Sequence, residues 1–180
     1  MYLVRTFKLT FAIAIISLII LITPFSLIHT QNAIAQPAQV SNAEKRSPDD
    51  IEFKRLIDES FVAWNTLDAD ATAKFYAQNA ELIFYDLTPL KNIGWKEYAD
   101  DAQKYILDKV TNFHLSANDD LKAVRKGNFA WTTFTFRMDA QLKNGQPIKL
   151  NCRQTDVWER RNGVWLIVHE HASAPLSILL

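Results

Sequence analysis

The stretch CRQTDVWERRNGVWLIVHEHASAP, Cys152 to Pro175, decides the fold. Two runs of alternating apolar and polar residues, Ile148 to Arg160 and Val164 to Ser173, meet at Asn162-Gly163. An Asn-Gly pair between such runs is the strongest short-range signal for a β-hairpin. Working back from it, Val110 to Ser116, Leu121 to Arg125 and Phe129 to Leu142 carry further strand patterns, separated by Asn-Asp-Asp, Lys-Gly-Asn and Asn-Gly-Gln turns. Period-two alternation puts Ala130, Phe134, Phe136, Met138 and Ala140 on one face, with Trp131, Thr133, Thr135 and Arg137 on the other. The sheet therefore has an apolar side that helices must cover.

Those helices precede it. Ser47-Pro48-Asp49-Asp50 reads as a helix start, and Ile51, Leu56, Ile57, Phe61 and Trp64 recur at helical spacing before an end near Asn65. Asp68 caps a second, shorter helix carrying Ala71, Phe75 and Tyr76, followed by a short strand over Glu81 to Tyr85. Asp86 to Gly94 reads as a loop, and a third helix is predicted over Trp95 to Asp108 with Tyr98, Ala102, Tyr105 and Ile106 on one side. Three helices followed by a long meander make an α+β arrangement, with the helices packed in the concavity of a curved mixed or antiparallel sheet.

The chain has 180 residues, enough for one domain with a real core, and its 20 basic residues balance 20 acidic ones. No basic stripe with interleaved aromatics is present, so nucleic acid is not an expected partner. Arg5 and Lys8, an apolar run from Leu9 to Ile22 and a small-x-small site at Ala33-Ile34-Ala35 follow the order of a secretory signal. Residues 1–35 are read as a signal peptide, 36–48 as a flexible linker and 49–176 as the domain, exported to the periplasm or the outside. Contact with a membrane is expected only if the signal segment stays attached as an anchor. Cys152 is the single cysteine, so the core holds the domain without an intrachain disulfide.

Ala63-Trp64-Asn65-Thr66-Leu67-Asp68 followed by Phe75-Tyr76-Ala77 resembles the opening of SnoaL-like domains of the nuclear transport factor 2-like superfamily. Thr155 to Trp165 with Val168-His169-Glu170-His171-Ala172-Ser173 is similar to the end of the calcium/calmodulin-dependent kinase II association domain. The resemblance implies a cone open at one end, dimeric or larger, in a superfamily that includes ketosteroid isomerases, polyketide cyclases and domains that only bind or assemble. Where the kinase domain carries pocket arginines, this chain has Phe136, Asp156 and Ala172. Where ketosteroid isomerases carry their aspartate base, the match falls on Tyr85, with Asp86 one residue later.

Hairpin register decides which side chains share the cone. A two-residue turn at Asn162-Gly163 sets Asp156 opposite His169, whereas a three-residue loop over Arg161-Asn162-Gly163 moves His169 and His171 to the side of Arg153 and Thr155. The resemblance favours the second, which puts Asp156 and Glu170 diagonally across neighbouring strands as candidate catalytic residues, among Tyr85, Phe134, Phe136 and Trp158 as candidate ligand-binding residues. His169 and His171 lie two apart on a strand but no third ligand accompanies them, so no metal site and no cofactor is expected. Their face, with Trp131 and Trp165, is read as a patch that meets a second copy of the chain. The expected function is binding of a small apolar molecule in the cone, with an isomerase- or cyclase-type enzyme or an oligomerisation module as alternatives. Export predicts that the mature protein begins at Gln36; an intact mass starting elsewhere, or retaining the apolar segment, overturns that reading.

Overall fold

Ser47 starts the first helix by a reciprocal cap. Its Oγ accepts from the Asp50 amide at 3.0 Å, and Asp50 Oδ2 accepts from the Ser47 amide at 3.1 Å. Helix α1 then runs Pro48–Trp64 in the computed structural model, which describes residues 46–175. The signal segment at 1–35, the linker up to residue 45 and the tail at 176–180 lie outside the described residues. Phe53, Ile57, Ser60, Phe61 and Trp64 form the buried side of α1. Ile51, expected on that stripe, is 59% exposed, because Phe53 holds the inward position of the first turn.

A 3₁₀ helix comes next over Ala69–Phe75, capped by the Asp68 carboxylate on the Asp70 amide. Strand β1 is only Ile83–Tyr85, and the segment expected as loop contains strand β2, Asn92–Ile93, paired antiparallel to β1. Helix α2, Gly94–Tyr105, gives way to a 3₁₀ turn over Leu107–Lys109. Its buried side is Trp95, Tyr98, Ala99 and Ala102, whereas Tyr105, expected there, is exposed. Gly94 sits at φ 76°, where a Cβ would lie 3.0 Å from the Ala80 carbonyl oxygen, so the turn into α2 requires glycine.

The rest is sheet: β3 Val110–Ala117, β4 Lys122–Lys126, β5 Phe129–Leu142, β6 Pro147–Arg161 and β7 Val164–Ser173. The order is β2-β1-β7-β6-β5-β3, with β4 also paired to β5. Only the β1–β7 pairing is parallel among the strand pairs of the described residues. The helices cover one face. Phe53 packs on Trp158 and Trp165 at ring-centre distances of 5.3 and 5.1 Å, and Phe61 packs on Phe134 and Phe136 at 6.1 and 5.4 Å. Trp165 is thus a core residue and not part of an outer patch; of the two tryptophans expected outside, only Trp131 is exposed. Among the described residues no helix is long and apolar enough to cross a membrane.

Two polar clamps fix α1 on the sheet. Asp50 Oδ1 accepts from the Ala123 amide of β4 at 2.7 Å, and Asn65 at the other end both accepts from the Leu115 amide (2.7 Å) and donates to its carbonyl (3.2 Å). Burial pushes the Asp50 carboxyl up, but the amides of Ala123 and Ser47, the Ser47 hydroxyl and the Lys122 charge outweigh it and hold the group below its usual range. Its contribution to stability is therefore present above the ordinary carboxylate pKa and is lost as pH falls through the lowered native value. Asp50→Ala is expected to cost about 1–2 kcal/mol at neutral pH, read as a lower urea midpoint. An unchanged midpoint would show the clamp to be dispensable.

Candidate functional site

Arg161 pairs with Val164 across a two-residue turn, with Asn162 at φ 50° and Gly163 at φ 85°, the backbone that a type I′ hairpin needs. Pairing stays in step to Trp158 opposite Ile167 and then slips, so that Val157 faces His169 and Asp156 faces Glu170. Val168 is the extra residue of a β-bulge. This differs from both registers expected from the sequence. The turn is the short one, yet the bulge reverses which residues of β7 point inward, so the parity is that of the longer loop. Asp156 and Glu170 consequently lie directly opposite each other and not diagonally.

The same slip distributes the rest of the strand. Trp165 and Ile167 before the bulge, and Glu170 and Ala172 after it, are all buried. His169 and His171 turn outward, where both rings stand 5.6 Å from that of Tyr85. Tyr85, expected in the pocket, is on the outer face, because β1 runs parallel to β7 with Phe84 beside Glu170 and Tyr85 beside His171. Alternation then brings Asp86 back to the inner side, where it lines the cavity.

Two tyrosines hold Glu170. Tyr76, just after the 3₁₀ helix, donates to Oε2 at 2.8 Å, and Tyr98 of α2 donates to Oε1 at 2.6 Å. Trp64 Nε1 donates to the Tyr76 hydroxyl at 3.2 Å. Asp156, across from Glu170 on β6, is fully buried. It accepts from Gln154 Nε2 at 2.8 Å and from the Thr132 hydroxyl at 3.4 Å, and Thr132 in turn accepts from Trp158 Nε1 at 3.1 Å.

Above Glu170 a cavity opens between the helices and the sheet. Its apolar walls include Phe61, Phe113, Leu115, Phe136, Met138 and Ala172, and its polar side chains are Trp64, Asp86, Tyr98, Gln154 and Glu170. Partly exposed Asp86 and Leu87 lie at its mouth. The walls leave about 50 Å³ for the centres of water-sized atoms. At ~10–15 Å³ of such space per water, this accommodates a handful of heavy atoms, not a fused-ring ligand, without opening.

The acids here share one electrostatic feature: burial is the leading cause of the shift at Asp86, Asp156 and Glu170 alike. Burial pushes Asp86 up to about 6 and Asp156 up to about 7. Glu170 is raised too, first by burial and then by the charges of Asp156 and Asp86, against the pull of the two tyrosine hydroxyls. Burial and the adjacent carboxylates likewise raise Tyr76 and Tyr98, so both remain protonated donors.

Of the residues singled out from the sequence, the structure brings together Glu170 and Phe136 in the cavity wall, with Asp156 behind them. Phe134 and Trp158 are buried in the packing of α1 on the sheet and do not line the cavity; Tyr85 is outside. Sequence reasoning places Tyr76 and Tyr98 only in the core, gives Gln154 no role in the site, and reaches Asp86 only as the neighbour of Tyr85 where the resemblance places the base of ketosteroid isomerases. Their signal is a polar tip on an otherwise apolar face. Among the described residues no group of three or more His, Cys, Asp or Glu side chains is placed to hold a metal ion.

The family model of the SnoaL-like domain matches residues 54–177. The chain belongs to this family. Its fold is that of a nuclear transport factor 2-like superfamily protein from Salmonella enterica serovar Typhimurium (TM-score 0.66, 21% identity, covering 71% of this chain and 92% of that one). A provisionally assigned calcium/calmodulin-dependent protein kinase II association domain from Xanthomonas campestris is similar at TM-score 0.61 and 21% identity, over 71% of this chain and 88% of that one. A ketosteroid isomerase-like protein from Erwinia carotovora atroseptica shares the fold at TM-score 0.59 and 12% identity, over 73% and 99% of the two chains. No curated protein matches the chain.

The raised Asp156 has a sign that can be tested on this SnoaL-like domain. Its folded pKa of about 7 lies above the ordinary 3.8, so the stability that goes with the protonated form is complete below pH 4 and is lost as pH rises through 7. Asp156→Asn keeps an acceptor for Gln154 and cannot ionise. It is expected to raise stability at pH 8 by up to about 4 kcal/mol, with little change at pH 4, in urea unfolding followed across pH. A variant with the same pH slope as the parent would show Asp156 to titrate normally.

Proposed function

We propose that this is an exported SnoaL-like domain that binds a small, largely apolar molecule in the cavity beneath its helices. The observation that carries this is the cavity wall: aromatic and aliphatic side chains surround a single deep carboxyl, Glu170, which Tyr76 and Tyr98 hold in one orientation. Apolar walls with a few fixed polar groups are what small-molecule sites are made of. Self-association through the outer sheet face is part of the same proposal, supported there by Trp131 and by Tyr85 stacked edge-on against His169 and His171.

A second reading, an acid–base enzyme of the isomerase or cyclase kind, is favoured by Asp86. That carboxyl lines the mouth of the cavity and burial raises it to about 6, which suits a group that exchanges a proton near neutral pH. In this reading Asp86 is the group that meets the substrate, and Glu170 with its tyrosines orients the far end.

Native mass spectrometry of the purified mature protein tests the binding reading. An adduct of small mass is expected on the parent protein, reduced in Ala172→Leu, which fills the cavity from β7 while adding only apolar volume. An adduct that survives the filling variant unchanged sits elsewhere and removes the proposal. The same spectrum reads the oligomeric state: a dimer or larger is expected, and monomer alone at micromolar concentration removes self-association.

A further inference from the structure

We propose that residues 176–180, Leu-Ser-Ile-Leu-Leu, carry β7 onward along the free edge of β6 and cover the mouth of the cavity with Leu176 and Ile178. This docking stands whether or not the cavity is a binding site; the binding reading only gives it a purpose.

Strand β6 outruns its neighbour. Its pairing with β5 extends from Pro147 opposite Gln141 to Glu159 opposite Phe129, whereas its pairing with β7 begins only at Arg153 opposite Ser173. From Pro147 to Cys152 the β7 side of β6 therefore has no strand against it among the described residues. Such an edge leaves backbone N–H and C=O groups with which a further extended segment can pair. The inward side chains along it are apolar: Ile148 and Leu150 are half-buried and pack against the core, and Cys152 is buried. A groove lies beside the edge, its apolar lining including Tyr85, Leu87, Leu90 and Leu150, and Leu90 is 91% exposed. The groove shares Asp86, Leu87 and Ala172 with the cavity, so a segment that fills it covers the cavity mouth.

Register names the occupant. Beyond the bulge β6 and β7 pair in step, Asp156 with Glu170, Gln154 with Ala172 and Arg153 with Ser173. Continued in the same register, Leu176 comes opposite Leu150, Ser177 opposite Lys149, Ile178 opposite Ile148 and Leu179 opposite Pro147. Alternate residues share a face, so Leu176 and Ile178 fall in the buried row of Glu170 and Ala172, while Ser177 turns outward with exposed Lys149. From 176 to 178 the polarity of the segment thus matches the face it would meet. Pro175 comes opposite Asn151 and takes one amide out of the ladder. Strand β1 ends at Tyr85, beside His171, so the extension is an edge strand, where proline is tolerated. A segment of a second copy could pair with the same edge, but residues 176–180 are delivered to it by a strand already in register, with almost no loop to close.

Nuclear Overhauser effects and amide exchange in the purified mature protein test the pairing. Contacts of Leu176 with Leu150 and of Ile178 with Ile148 are expected, together with exchange at residues 176–178 at least about tenfold slower than in an unpaired chain. Ile178→Asp is expected to return that exchange to the unpaired rate, and Ser177→Asp, on the outward side, to leave it slow. Neither variant touches the described core, and neither readout needs a ligand, so a missing small-molecule adduct would remove the binding reading and leave the docking standing. Unprotected amides across 176–178 overturn the proposal, as does equal sensitivity to Ser177→Asp and Ile178→Asp. In a mixture of isotope-labelled and unlabelled protein, contacts found only between chains assign the edge to a second copy and overturn it too.

Discussion

One extra residue in β7, Val168, sets the chemistry of this domain. Side chains of a strand alternate strictly, so without the bulge the inward row that begins Trp165, Ile167 would continue through His169 and His171, and Glu170 would face solvent. With it, the row runs Trp165, Ile167, Glu170, Ala172, all buried. The hydrophobic end of the strand anchors α1 through Phe53, and the end past the bulge serves the cavity. The parallel strand β1 takes its register from the same segment: Phe84 beside Glu170 puts Tyr85 out and Asp86 in.

That placement gathers a group of acids in apolar surroundings. Such a group persists only if its lone pairs are met, and here neutral donors meet them: two phenols for Glu170, an amide and a hydroxyl for Asp156. Neutral donors do not cancel charge, which is why burial is the leading cause of each upward shift. The resemblance to the kinase association domain is instructive in this light. Phe136, Asp156 and Ala172, the positions at which the sequence departs from that resemblance, are all buried here. Fold and ligand class are set by different residues.

Most elements were legible because their signals are local. Pro48 after Ser47, the Asn-Gly and Lys-Gly-Asn turns, and the alternation of polar and apolar residues from Thr133 to Leu142 in β5 each specify backbone conformation within a few neighbours. The misses also have local causes. Strand β2 is two residues long, too short for any periodicity, and exists because β1 offers an edge to Asn92 and Ile93. Ile51 and Tyr105 fit the helical spacing at the ends of α1 and α2, where a helix already leaves the sheet and an apolar residue meets solvent.

The amino-acid sequence by itself determined the α+β class, the strand and helix order, the inward row of β5 and the presence of two acids near the chain's end. It left the site undecided, because alternation predicts faces only relative to a register. That register was decided by pairing across the sheet. The turn residues specify a two-residue hairpin, and nothing in Ile167-Val168-His169 announces a bulge. The bulge is stabilised at a distance, by β1 docking alongside β7, by the His169 Nδ1 contact of 2.7 Å with the Ile83 carbonyl, and by Tyr76 and Tyr98 arriving from helical segments to meet Glu170. These partners are 72 to 94 residues away in the chain, so only the folded structure brings them to bear.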